Sequence, residues 1–178
     1  TLSAPTTATA TDIDYNPTTG IMTVTLVSHG LKAGDQVKFA DNSITLSCAF
    51  GGASGAAAQK TYPRSTDYAS DRWLEVSNIT VNTFDVQVLD SIPSTNVDPH
   101  SFVSAVAGGI SIAQSTVRFS NNAITFSCGF GGGGNRSYPR STDPIAGKNV
   151  PVDAITSTTF TVNALNGTTP TNTDAHTY

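Results

Sequence analysis

Apolar and polar residues alternate along much of this chain. The clearest runs are residues 21–26, 37–39 and 83–89, where every second residue is apolar and β-branched or aromatic residues are common. A period of two places successive side chains on opposite faces, so each run predicts a half-buried β-strand. Turn signals rich in Asn, Pro and Gly separate such runs, as at 16–20 and 32–35. No window of a dozen residues shows the apolar stripe of a capped helix, so we expect little or no helix.

The chain also repeats itself. Residues 37–50, VKFADNSITLSCAF, match residues 117–130, VRFSNNAITFSCGF, at an offset of 80, with 8 of 14 residues identical. The hexapeptide YPRSTD occurs at 62–67 and again at 138–143, an offset of 76 that holds to the last residue. The change of offset falls in Gly-rich stretches, as a variable surface loop allows.

Matched apolar positions predict two equivalent cores, one in each copy. The expected core residues are Val37, Phe39, Ile44, Val76, Ile79, Phe84, Val86 and Leu89, with Val117, Phe119, Ile124, Val152, Ile155, Phe160, Val162 and Leu165 as their counterparts.

Short, regularly spaced strands predict an all-β fold: two tandem β-sandwich or barrel-like repeat domains with little or no helix. We expect residues 1–10 to be an N-terminal linker or arm, residues 11–107 to form the first β repeat, and residues 108–178 to form the second. The second repeat is shorter and lacks the first hairpin, since nothing in it matches residues 21–35. The chain has 178 residues, enough for two domains of roughly 90 residues, each with a core.

Composition and charge exclude several partners. Only 12% of the residues are charged and the formal net charge is −4, which gives little attraction for nucleic acid or an acidic membrane. No apolar run approaches the roughly 20 residues of a membrane-spanning helix, and the first ten residues lack the pattern of a signal peptide. We therefore expect no nucleic-acid partner and no membrane span.

The two cysteines occupy equivalent positions of the repeat, Cys48 in ITLSCAF and Cys128 in ITFSCGF. Equivalent positions of consecutive modules are usually a module's width apart, beyond the Cα separation of about 7 Å that a disulfide can bridge. Buried free thiols are the favoured interpretation. A disulfide and a metal site are the alternatives, although zinc would need more Cys and His ligands nearby.

Candidate catalytic groups are few. His29 precedes a glycine and suits a turn, whereas His100 and His176 recur at the same place in both copies, which a single asymmetric active site would not explain. Glu75 is the only glutamate, and its counterpart is Pro151, so a pair of catalytic carboxylates is not repeated. We expect no enzyme, no catalytic residue, no cofactor-binding residue and no metal ligand.

Other polar and aromatic positions fit structural roles. Arg64–Asp67 and Arg140–Asp143 are expected to be local ion pairs that close a Pro-initiated turn; contact with a sugar, a sulfate or calcium is the alternative. Trp73, the only tryptophan, aligns with Asn149 and is expected to pack at the interface of the copies rather than to bind sugar. The stretches GGASG and GGGG lack the Lys-Ser/Thr of a phosphate-binding loop and predict surface loops.

Longer segments show a resemblance to a known group of proteins. The string YNPTTGIMTVTLVSHGLKAGDQVKF, followed by ITLSC, TYPRSTD, RWLEVSNITVNTFDVQVLD, PSTNVDPHSFVSA and GGI, resembles repeats in virion structural proteins of marine tailed phages, cyanophages among them. The resemblance covers nearly all of residues 11–178, and YPRSTD and PHSFVSA are its most specific motifs.

This resemblance implies a non-enzymatic virion protein, a building block of a phage tail fibre, baseplate appendage or similar surface assembly. It also implies location on the extracellular particle surface and self-assembly as a homo-oligomer. The expected partners are copies of the chain, other virion proteins and a host surface glycan. The alternatives are a capsid decoration protein or an extracellular filament subunit and, third, a carbohydrate-binding or degrading module.

Overall fold

The computed structural model describes residues 2–90, 92, 94, 96–129, 133–165 and 175–178. Over these residues the chain forms short β-strands and no α-helix, and thus no helix that could cross a membrane. The strands are β1 (Thr6–Ala8), β2 (Asp12–Asn16), β3 (Ile21–Thr25), β4 (Gln36–Phe39), β5 (Ile44–Cys48), β6 (Gln59–Tyr62), β7 (Leu74–Glu75), β8 (Thr83–Gln87), β9 (His100–Ala105), β10 (Ile110–Ala113), β11 (Thr116–Val117), β12 (Ile124–Cys128), β13 (Asn135–Tyr138), β14 (Val150–Pro151), β15 (Ala154–Ile155), β16 (Phe160–Thr161) and β17 (His176–Thr177). Two 3-10 turns, Phe50–Gly52 and Gly55–Ala58, lie in the first Gly/Ala-rich stretch.

Every strand pairing is antiparallel, which confirms the all-β prediction. The strands of the first copy lie in three sheets, with the orders β1-β10-β4-β7, β2-β3-β8 and β6-β5-β9. The second copy contributes β11-β14, β15-β16 and β13-β12-β17.

Matched strands of the two copies pair in the same register. Ile44 on β5 lies opposite Tyr62 on β6, and Ile124 on β12 lies opposite Tyr138 on β13. The pairs β4–β7 and β11–β14 correspond in the same way, as do β5–β9 and β12–β17. The sequence repeat is therefore also a repeat of backbone pairing.

A sheet of the first copy includes one strand from the segment before it and one from the segment after it. β10, at the start of the segment predicted to be the second repeat, pairs with β4 of the first copy. On the other side of β10 lies β1, within the ten residues predicted to be a linker or arm. The division of the chain into two domains stays a prediction.

The hydrophobic core lies in the first copy. Of the eight core residues predicted there, six are buried, and Ile79 and Leu89 are half-buried. The hairpin of β2 and β3 adds Ile13, Met22 and Val24 to the same cluster. Burial stabilises the folded chain by about 1.5–3 kcal/mol for each large apolar side chain.

The prediction of an equivalent second core is wrong. Of the eight counterparts only Val152 is buried, and Phe160 is 43% exposed where its match Phe84 is fully buried. The physical reason is the missing hairpin. Without two strands in the place of β2 and β3, the second copy repeats the pairings of β4–β7, β5–β6 and β5–β9, but the other seven counterparts stay exposed or half-buried.

Candidate interaction surface

The β2–β3 hairpin covers the core of the first copy. β3 pairs with β8 so that Met22 lies opposite Val86, and Val24 lies opposite Phe84. Residues directly opposite each other in an antiparallel pair project from the same face. Val24 and Phe84 are both fully buried, so the hairpin and β8 together enclose this part of the core.

The second copy has β16 in the place of β8 but has no strand in the place of β3. Only Gln114 and Ser115 separate β10 from β11, too few residues for a hairpin. Within the described ranges β16 pairs with β15 alone. The side of β16 opposite β15 therefore has no strand partner among the described residues.

Apolar side chains line the uncovered side of the second copy. We call this surface the open face; its members are Phe119, Ile124, Phe126, Phe160 and Val162, all exposed or half-buried. All but Phe160 line a cavity of about 520 Å³, together with the charged Arg140 and Asp143. The corresponding cavity of the first copy is about 410 Å³ and has Tyr15 and Met22 of the hairpin in its wall.

The backbone orientation of β8 shows which groups bind the hairpin. Asp85 and Ser77 exchange both backbone hydrogen bonds, at 2.8 and 2.9 Å. Successive residues of a strand direct their N–H and C=O groups to opposite sides. The backbone of Phe84 and Val86 therefore faces β3.

The same alternation identifies the backbone groups of β16 that face away from β15. The carbonyl of Thr161 accepts a hydrogen bond from the N–H of Asp153 at 2.9 Å, on the side of β15. The N–H and C=O groups of Phe160 and Val162 must then face the edge where β3 would lie. The open face thus combines apolar side chains with backbone groups oriented for strand addition.

The YPRSTD motif forms the same ion-paired turn in each copy, as predicted. The carboxylate of Asp67 forms an ion pair with Arg64 Nη2 at 2.9 Å and accepts hydrogen bonds from Arg64 Nε at 3.1 Å and from the Arg64 backbone N–H at 2.9 Å. Asp143 and Arg140 repeat this geometry, with a 2.9 Å ion pair. Burial would raise the pKa of Asp143, but hydrogen bonds from the backbone and side chain of Arg140, with its charge, outweigh this and lower it.

His29 and His100 are half-buried, whereas His176 is exposed. His29 Nδ1 accepts the backbone N–H of Leu31 at 3.0 Å, which leaves Nε2 to donate to the carbonyl of Thr83 at 3.3 Å. This arrangement confirms the predicted turn role. The ring of His100 contacts that of Tyr15 edge-on, with centroids 5.1 Å apart.

Each cysteine pairs across its sheet with a histidine. Cys48 lies opposite His100, and Cys128 lies opposite His176. Neither cysteine is in a disulfide and both side chains are buried, as predicted. The Cys48 sulfur accepts a hydrogen bond from Asn96 Nδ2 at 3.3 Å. Over the described ranges no three His, Cys, Asp or Glu side chains gather as metal ligands would.

Trp73 connects the two copies. Its side chain is buried, and its Nε1 donates a hydrogen bond to Asp153 of the second copy at 2.8 Å. The ammonium of Lys38 lies 5.1 Å from the centre of the ring. The predicted packing role is confirmed. Glu75 lies exposed on β7, opposite Gln36.

The comparisons with known proteins give no guide to these surfaces: no family model, no curated protein and no solved structure matches the chain. Reasoning from sequence alone also missed the open face. The signal was present, because the absence of a second hairpin implies that the core beneath it stays uncovered.

Proposed function

We propose that this chain is a non-enzymatic structural protein of a virion, a building block of a phage tail fibre, baseplate appendage or similar surface assembly. Its partners are copies of itself and other virion proteins, and it acts on the extracellular surface of the particle. The phage origin rests on the sequence resemblance. The assembly role rests on the open face.

The open face is the observation that supports assembly. Contiguous exposed apolar surface next to an unpaired strand edge is typical of a surface that binds another protein. The first copy is the internal reference, since the matched side chains are buried there: Phe39, Ile44, Leu46, Phe84 and Val86. A chain that repeats a scaffold but leaves one copy uncovered has a site for a neighbouring subunit.

The repeated positions also favour a structural role. In both copies they hold strand residues, an ion-paired turn and packed thiols, so duplication has preserved a scaffold. Glu75 is not repeated, and His29 is engaged by backbone groups on both ring nitrogens. Substituting either residue by Ala should leave assembly intact.

A charge placed on the open face tests the assembly role. Because Phe160 is 43% exposed, Phe160→Asp should fold, yet a carboxylate there opposes burial against a partner. We expect the wild-type chain to associate as its concentration rises in sedimentation velocity, and the variant to remain monomeric. Ser157→Asp, on the exposed turn before β16, adds the same charge away from the face and should behave as wild type.

Location in the particle is tested separately. Antibodies against the chain, used for immunogold labelling of purified virions, should label a tail fibre or appendage. Label over the capsid would favour a decoration protein, and label on filaments without particles would favour an extracellular filament subunit. A chain that stays monomeric at high concentration, labels no particle and cleaves a polysaccharide would contradict the proposal.

A further inference from the structure

We propose that the open face binds a β-hairpin of a different protein, which adds a strand to β16 on the side where the described residues supply none, in the register that β3 uses on β8. This inference rests on the assembly role proposed above and specifies the chemistry of the partner. It is carried by the first copy, where the equivalent face is occupied by two strands of known register.

The first copy shows which side chains such a partner needs. Met22 and Val24 of β3 lie opposite Val86 and Phe84, and on β2 Ile13 lies opposite Val24. Both strands of the hairpin therefore present apolar residues to the core. On β16 and the residue that follows it, the positions of Phe84 and Val86 are taken by Phe160 and Val162, so the second copy offers the same side chains to an incoming strand.

Backbone hydrogen bonds would fix the position of the partner strand. The N–H and C=O groups of Phe160 and Val162 face the side of β16 opposite β15, and a strand placed there pairs with both residues. A shift of one residue would turn the apolar side chains of the partner to solvent. Registers shifted by an odd number of residues are therefore incompatible with burial.

The polar residue between the two apolar residues of the incoming strand provides a test of the register. In the first copy Thr23 Oγ1 donates a hydrogen bond to Asp85 Oδ1 at 2.6 Å, on the face away from the core. The counterpart of Asp85 is Thr161. A partner with a hydroxyl or amide side chain between its two apolar residues would reach the Thr161 hydroxyl.

The chain's own β2–β3 hairpin cannot be the one that covers the open face. Within the described residues each chain has one such hairpin, β2–β3, but two faces of this kind. Exchange of hairpins between two copies would cover one face and uncover another, with no net gain in buried apolar surface. The hairpin that covers the open face is therefore one from another protein, and isolated copies of the chain associate through the same exposed apolar face only while no such hairpin occupies it.

A synthetic peptide of residues 11–26 is the probe, because its side chains are known to fit the equivalent face. Added to the full-length chain, it should bind once per chain, since the covalently attached hairpin of the first copy has a far higher effective concentration at its own site. In hydrogen exchange read by NMR, the amides of Phe160 and Val162 should gain protection and that of Thr161 should not. The control peptide with Met22→Lys and Val24→Lys should not bind.

Two variants of the chain locate the site and its register. Val162→Lys on the open face should weaken binding at least about tenfold, since it places a charge against the apolar side of the peptide. Thr161→Asp restores the acceptor found at Asp85 and should tighten binding about three- to tenfold. A peptide with Thr23→Val should lose that gain.

The outcomes separate this inference from the proposed function. Absence of saturable binding, binding that Val162→Lys leaves unchanged, or protection at Thr161 instead of its neighbours would overturn the hairpin register. If the peptide fails while Phe160→Asp still abolishes association, assembly stands and the hairpin fails. If the peptide binds as expected but the chain neither associates nor labels virions, the hairpin site stands and the proposed function fails.

Discussion

Phe84 and Phe160 occupy the same position of the repeat, yet their surroundings differ. Phe84 is fully buried beneath the hairpin, and Phe160 is 43% exposed. Phe84 pairs with Val24 of β3, whereas Phe160 pairs with Ile155 of β15 and has no strand in the place of β3 among the described residues. The difference in exposure therefore shows how much the covering strands contribute to the burial of a single side chain.

Truncation of these two residues should have unequal effects on stability. Phe84→Ala removes a buried ring and leaves a cavity, so it should lower the free energy of unfolding by about 3–5 kcal/mol. Phe160→Ala removes a ring that already contacts water and should cost less than about 1 kcal/mol. Urea unfolding of both variants gives the comparison. Equal costs would mean that the second face is covered in solution.

The ion-paired turns are the other residue-scale feature with a measurable consequence. Arg140 lowers the pKa of Asp143 in the folded chain by hydrogen bonds and charge, against the effect of burial. A carboxyl group with a lowered folded pKa contributes stability above its unfolded pKa and loses it as the pH falls through the folded value. The turn should therefore be weakened by acid.

Asp143→Asn should flatten the acid side of the stability profile. The amide cannot take up a proton, so melting temperature should fall less between about pH 6 and about pH 3 than in the wild type, from a lower starting value. Arg140→Gln should flatten the profile too, because the remaining carboxyl group loses the partner that lowers its pKa. A profile of Asp143→Asn parallel to that of the wild type would exclude this contribution.

At the scale of elements, the β2–β3 hairpin is the unit that distinguishes the two copies. Its loop closes through Gly20, whose φ of +70° is a left-handed conformation that glycine adopts without a steric cost. An added Cβ would lie 2.5 Å from Gln87 Nε2 and 2.9 Å from Ile92 Cγ2. Position 20 is therefore restricted to glycine both by its backbone conformation and by its close contact with Gln87 in β8 and Ile92 after it.

Substitution of two glycines separates these effects. Gly34 also has a positive φ, +91°, but an added Cβ would meet no atom within 4 Å. Gly34→Ala should cost about 1–2 kcal/mol of stability from backbone strain alone, and Gly20→Ala should cost about 1–3 kcal/mol more from crowding. Thermal unfolding measures both. A similar loss for the two variants would show that the neighbours of Gly20 move aside freely.

At the scale of the whole molecule, one buried core supports a chain with two copies of a scaffold. The copies meet where Trp73 binds Asp153 and where Gln36 Nε2 donates to the carbonyl of Asn149 at 3.1 Å. Apolar burial is concentrated in the first copy. Stability should follow that distribution rather than the symmetry of the sequence.

Native-state hydrogen exchange should reveal this asymmetry. The β5–β6 pair and the β12–β13 pair share one register, so a difference in protection reports packing and not hydrogen-bond pattern. We expect β5 amides to exchange at least about tenfold more slowly than matched β12 amides, because local opening is easier where fewer apolar contacts are lost. Equal protection would indicate a cooperative unit that includes both copies.

The all-β class, the turns and the ion pairs could be read from the sequence because each depends on local chemistry. Alternation specifies a strand, and an arginine three residues before an aspartate closes a turn within reach of its own side chain. The repeat likewise predicts a shared register, since the same pattern of side chains favours the same pairing.

Burial in the second copy was decided by tertiary structure. Phe160 and Val162 have the sequence pattern of core residues, and alternation does not indicate whether another element covers them. Exposure depends on strands distant in sequence, and the chain has only two residues where the second hairpin would be. The open face therefore follows from the three-dimensional arrangement: a side chain is buried only if another part of the fold lies against it.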